Sequence, residues 1–234
     1  MLRKIWMPGV LVAISAMSAG CTSGNGIKGS VPRTVGEFTA VRMETGIQAT
    51  VSIGQQEPLL LEGDENLLSL VQTEVVDGVL IGSVQSRSNI NPSMPFTLQV
   101  TTPGLVAVGA LDGSGVTADS LQSLRMDVVA SGGGHVTLTG LSSDDVTLTV
   151  ESGGSVVLAG QGKQMAANLS TGSSITTSSF TVETTTVSSV FSSGEVLVTS
   201  SISGTLSGDS QLTVFGNPVD RNVTVSAGAS ITFR

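Results

Sequence analysis

Tyrosine is absent from this 234-residue chain, tryptophan occurs once, at Trp6, and cysteine once, at Cys21. Aromatic residues make up 3% of the sequence and charged residues 12%. Each scarcity excludes something. One cysteine allows no internal disulfide and no thiolate metal cage. His135 is the single histidine, so any Ser-His-Asp set would have to use it. It follows the glycines 132–134, where an exposed corner residue is the plainer reading. Beyond Trp6 there is no Tyr or Trp to build the ring platforms of a carbohydrate-binding face. The phenylalanines (Phe38, Phe96, Phe180, Phe191, Phe215, Phe233) are therefore expected in the core or over its ends. Basic residues are also few. Eighteen acids face ten bases, a net charge of −8, and without Arg3 and Lys4 of residues 1–20 it becomes −10. That balance offers no basic stripe for nucleic acid and no electrostatic help at an anionic lipid surface.

What remains is unusually uniform. Ser and Thr together number 60, and hydrophobic residues reach 39%. Disorder would require sparse apolar residues. Here they alternate with polar ones, as in Val146-Thr147-Leu148-Thr149-Val150, the pattern of a half-buried strand. The chain reads as folded and all-β.

From Leu105 onward a small turn recurs, with its second residue at 113, 132, 153, 172, 192, 208 and 227. A strand leads into each turn and a second leads out, for example 124–129 and 136–139 around Ser131-Gly132-Gly133-Gly134. Nearly constant units of about 19 residues, with Gly or Ser at their corners, suit a parallel β-solenoid in which each coil superposes on the last. At about 4.8 Å per coil, seven units span roughly 30 Å. An antiparallel β-sandwich is the rival. The solenoid is favoured because Asp112-Gly113 alone among the turns has the dipeptide that tight hairpins prefer.

The domain is expected over 33–234, with repeats in 105–234 and an N-terminal β cap region in 33–104. In the cap, strands are expected at 38–43, 47–53, 59–62, 78–81 and 96–100, a short helix or turn at 65–70, and a loop at 86–95. The cap would cover strand edges that an open solenoid end exposes. Residues 1–20 read as a lipoprotein signal peptide: Arg3 and Lys4, a short apolar stretch from Met7 to Met17, then Ser18-Ala19-Gly20 before Cys21. The apolar stretch is too short to span a bilayer. Small residues ending in Gly-Cys resemble a lipobox, which makes Cys21 the expected lipidation site, although Ser18 stands where that motif usually has Leu. Without lipidation, Cys21 would be a stray thiol. Residues 21–32 would then be a flexible tether, and Thr22 in place of Asp after the cysteine points to the outer membrane, facing periplasm or cell surface.

Several stretches occur together in order: Arg33 with Phe38 and Val41, Gly46-Ile47-Gln48, Glu62-Gly63-Asp64-Glu65-Asn66-Leu67-Leu68, Asp77-Gly78 with Leu80, Thr102-Pro103 with Leu105, and Gly216-Asn217-Pro218. In this order the chain resembles, over roughly 33–234, the bacterial family of unknown function described as "putative autotransporter adhesin, head GIN domain". The resemblance implies a right-handed parallel β-helix in an exported protein, often a lipoprotein. Gln48 replaces an Asn of that pattern, and several turns carry Ser where a second Gly is typical.

Asp144-Asp145 is the one adjacent acidic pair, and β-helical polysaccharide enzymes use paired carboxylates. Successive strand residues point to opposite faces, so the two would not converge unless one occupied a corner. No catalytic, metal or cofactor set is therefore assigned, and no binding residue is singled out. The expected function is a non-enzymatic, adhesin-like envelope lipoprotein, joined to the membrane by its lipid and binding envelope or surface proteins. The alternatives are a polysaccharide-acting β-helix using Asp144, Asp145 and Arg125 or His135, and a structural lipoprotein without a specific ligand.

Overall fold

A computed structural model describes residues 21–85 and 89–234; the expected signal peptide over 1–20 lies outside them. The chain is a β-solenoid, and its coils are held by parallel ladders. One ladder runs through Val108, Val128, Leu148, Ala167, Val187, Gly204 and Val223. A second, after the turns, runs through Val116, Val136, Val156, Ile175, Gly194, Leu212 and Ile231. Parallel bridges lie about 20 residues apart, one more than the turn spacing suggests. Small branched side chains suit this interior because facing sheets leave little room between them. Phe180 is the largest fully buried side chain. Phe38 and Phe96 are also buried, but Phe191 is exposed at a turn, contrary to expectation.

The turns are of the hairpin type after all. Asp112 and Gly113, Gly132 and Gly133, Ser152 and Gly153, and Gly208 and Asp209 all have positive φ. In these turns the carbonyl before the pair accepts from the N–H after it, as Ser114 to Leu111 at 3.0 Å and Gly154 to Glu151 at 2.9 Å. That is the mirror-image turn of hairpins. The two strands it joins nevertheless bond to the coils on either side and not to each other. The scarcity of Asn-Gly pairs thus led to the right fold, although the turn geometry is the one those pairs favour. Just after these turns sit buried serines. Ser173 Oγ donates to Ser192 Oγ at 3.1 Å, and Ser210 Oγ to the Ser207 carbonyl at 2.6 Å, so their hydroxyls are satisfied.

Near the N-terminus the order of coils departs from the order of sequence. Strand Ala40–Met43 lies between Val79–Val84 and Ala107–Leu111, parallel to both. Gln48–Ile53 likewise lies between Thr97–Thr102 and Gly115–Asp119. Beyond this outer coil the sheets continue in the antiparallel sense, Val71–Val76 on Val79–Val84 and Leu59–Asp64 on Thr97–Thr102. A 3-10 helix, Glu65–Leu70, buries Leu67 and Leu68 at the position where a short helix or turn is expected.

The flexible tether expected over 21–32 is instead part of the fold. Thr22–Ser23 pairs with Ile90–Asn91, and Lys28–Arg33 forms a six-residue antiparallel ladder with Leu59–Asp64. Composition suggested a linker, but hydrogen bonds from residues far along the chain hold the segment in place.

Candidate functional site

The acidic pair occupies a corner. Ser143 and Val146 are buried, while Asp144 is half-buried and Asp145 exposed, so the inward–outward alternation slips by one residue between them. Both carboxylates therefore face outward, which strict strand alternation would not allow. Asp144 is engaged by Lys163 of the next coil at 2.9 Å. The hydrogen bond and the charge of Asp144 hold the Lys163 ammonium above its ordinary value of 10.5. Arg125 is the ladder partner of Asp145, yet its Nε meets Asp127 at 3.1 Å. His135 is exposed on the strand that follows the turn, in a different ladder from Arg125 and Asp145. The four candidates of the polysaccharide reading are thus not gathered around one point. Among the described residues no group of three or more His, Cys, Asp or Glu is placed to hold a metal ion.

A concave surface lies elsewhere, at the corner where Val106 and Leu124 project from adjacent coils. The groove has a volume of about 1010 Å³. Phe38 and Leu105 form buried parts of its wall, and Glu37 and Arg125 contribute charge. Leu124 is 80% exposed and Val106 49%. Leu124 is skipped by the ladder that pairs Ser123 with Ser143 and Arg125 with Asp145. Sequence reasoning missed this groove, because Leu124 there reads as one more apolar residue of a strand.

Cys21 is exposed, one residue before the first strand. Close by is a second group that sequence reasoning did not single out. Asp64 is fully buried and its carboxylate accepts from Gly26 N–H at 2.9 Å, Ser93 N–H at 2.8 Å and Met94 N–H at 3.3 Å, and from the Ser93 hydroxyl. The Ser93 hydroxyl, followed by these amides, holds Asp64 below the ordinary aspartate value despite burial. Among the described residues no helix is long and apolar enough to cross a membrane.

Comparison with known proteins agrees with this architecture. The family profile described as "Putative auto-transporter adhesin, head GIN domain" matches residues 37–218. No curated protein matches. A solved structure from Bacteroides fragilis, described as a "putative adhesin", is similar at 20% identity and a TM-score of 0.81, covering 91% of this chain and 99% of that one. A "putative lipid binding protein" from Parabacteroides distasonis is similar at 14% identity and a TM-score of 0.69, covering 92% and 100%. A "putative adhesin" from the same organism shows 15% identity and a TM-score of 0.68 over the same shares. At these identities the likeness is one of fold.

Proposed function

Since the chain belongs to the family described as "Putative auto-transporter adhesin, head GIN domain", we propose that it is a non-enzymatic, adhesin-like envelope lipoprotein. In this reading residues 1–20 direct export, Cys21 carries the lipid at the outer membrane, and the solenoid presents a binding surface to envelope or surface proteins. The groove beside Leu124 is the observation that carries the binding role. Leu124 and Val106, 80% and 49% exposed, line the same concave corner and together supply apolar contact area, and it is adjoining exposed apolar surface of this kind that marks interaction sites. That Asp144, Asp145, Arg125 and His135 are not gathered around one point favours binding over hydrolysis at the acidic pair.

Intact mass and membrane fractionation of the natively expressed protein, beside Cys21→Ser, test the address. Acylated mass and membrane recovery in the wild type, both lost in the variant, are expected. A soluble, unmodified wild type would overturn the lipoprotein reading. Pull-down with Leu124→Asp tests the groove, and partner recovery equal to wild type would overturn its role.

A further inference from the structure

The segment after Cys21 leaves almost no slack between the anchor position and the folded domain. Thr22 N–H donates to the Asn89 carbonyl at 2.8 Å and Gly24 N–H to the Asn91 carbonyl at 2.9 Å. Asn25 N–H donates to Asn66 Oδ1 at 3.0 Å, and Asn66 Nδ2 returns a bond to the Ser23 carbonyl at 2.9 Å. Gly26 N–H is held by Asp64 at 2.9 Å, and the ladder on Leu59–Asp64 begins at Lys28. A free Gly/Ser linker of about 12 residues would have a root-mean-square reach of about 20 Å. Here the first fixed amide belongs to Thr22, the residue next to Cys21 and only about 3.8 Å away between Cα atoms.

The surface beside Cys21 differs in charge from the rest of the chain. Residues 21–27 and 89–95 contain no Asp, Glu, Lys or Arg, in a protein with 18 acids. They contribute Ile27, 57% exposed, together with the exposed Pro92 and Pro95. The first charged side chain after Cys21, Lys28, is paired with Glu62 at 2.9 Å. The exposed Glu65 adjoins this patch, its backbone N–H donating a hydrogen bond to the Ile27 carbonyl at 2.9 Å. Among the described residues, a chain whose net charge would repel anionic headgroups therefore presents an end of few charges, with Ile27, Pro92 and Pro95 exposed where the lipid would emerge.

We propose that this end of the solenoid lies directly on the lipid bilayer, with Asp64 as the clamp that fixes the orientation. The inference rests on the lipoprotein reading of Cys21 and adds the surface that meets the membrane. Asp64 joins the three segments that form this end: the start of the chain through Gly26, the strand Leu59–Asp64, and the loop through Ser93 and Met94. Without the clamp, residues 22–27 would peel away and the domain would swing on a longer leash.

The test uses the acylated full chain on vesicles of phosphatidylethanolamine and phosphatidylcholine containing a headgroup spin-labelled lipid. Acylation consumes the Cys21 thiol, so a fluorophore can be placed through Ile27→Cys or, in the last coil, through Val219→Cys; Val219 is 87% exposed. Quenching is expected to be several-fold stronger at position 27 than at 219. Asp64→Ala should reduce that difference while flotation with the vesicles persists. Equal quenching at both positions in the wild-type background, with flotation intact, overturns the docking even if the Asp64 variant fails to fold. Loss of flotation by the unsubstituted protein instead overturns the anchor, and the docking with it.

Discussion

Gly204 lies so close to the Val187 carbonyl oxygen of the preceding coil that a Cβ at 204 would overlap it. Its φ of +135° adds a conformation that side-chain-bearing residues rarely adopt. Gly172, at φ +74°, has open space around it. The two sites differ in steric contact and also in backbone conformation, +135° against +74°. Gly172→Ala should cost about 1–2 kcal/mol, the left-handed penalty alone. Gly204→Ala should cost about 3 kcal/mol or more, because the coil must also move. Urea unfolding of the two variants beside wild type checks this, and equal costs would refute the contact argument.

Phe180 occupies space that Gly162 leaves empty. The ring is fully buried, and a Cβ on Gly162 would come within 2.8 Å of its Cζ. Phe180→Ala should lower stability by about 3–5 kcal/mol. For a chain of this size that corresponds to a fall in Tm of roughly 10 °C. A Cβ at 162 would also meet the Ser143 carbonyl oxygen at 2.8 Å. Gly162→Ala should therefore be destabilising alone and only partly relieved in the Phe180→Ala background. The coupling energy of a double-mutant cycle reports the share of the cost that Phe180 carries.

The turns were legible in the sequence for a physical reason. Consecutive residues with positive φ select Gly, Asp and Ser, and their spacing reveals the coil length. Ladder steps could not be read to the residue, because the register shifts twice between Thr177 and Thr184, where the coil is shortened. The position of Ala40–Met43 between Val79–Val84 and Ala107–Leu111 was also hidden. Alternation reports which face of a strand is buried, not which coil lies beside it. The corner slip that turns Asp144 and Asp145 outward together is invisible to a period-two argument for the same reason. Residues 21–32 look like a linker because Gly and Ser favour flexibility. Their order comes from Asn89, Asn91, Asp64 and Asn66, none of which the segment itself announces.

The Asp144–Lys163 pair is open to water, with the lysine side chain 60% and the aspartate 45% exposed. Such pairs contribute little in high dielectric, because screening and side-chain ordering offset the attraction. Lys163→Ala should shift Tm by less than about 2 °C. If the acidic pair were hydrolytic, Asp144→Ala with Asp145→Ala would abolish glycan depolymerisation. On the binding reading, wild type and the double variant should show the same absence of reducing-end release over a glycan panel. Release by wild type that the double variant loses would restore the enzymatic reading.

Asp64 gives the N-terminal clamp a defined pH dependence. Its hydrogen bonds to Ser93, Gly26 and Met94 all accept at the carboxylate, so they favour the charged form and lower its pKa in the folded state below the ordinary 3.8. The stabilisation is therefore fully present above the unfolded value and is lost as pH falls through the folded one. Wild type should hold a constant difference in Tm over Asp64→Asn from neutral pH down to about 4. Below that the difference should shrink, because protonation removes from wild type what the variant already lacks. An amide at this position keeps the shape but offers a donor towards N–H groups that need an acceptor, so Asp64→Asn should be the less stable protein at neutral pH. Glu62 is the complicating neighbour. Its pairing with Lys28 also lowers its pKa, so it loses stabilisation in the same direction. A Glu62→Gln background removes that contribution. Thermal unfolding between pH 6 and pH 2 in this background should still show the Asp64-dependent convergence. A difference that stays constant to the lowest pH would mean that Asp64 is not held as a carboxylate by those amides.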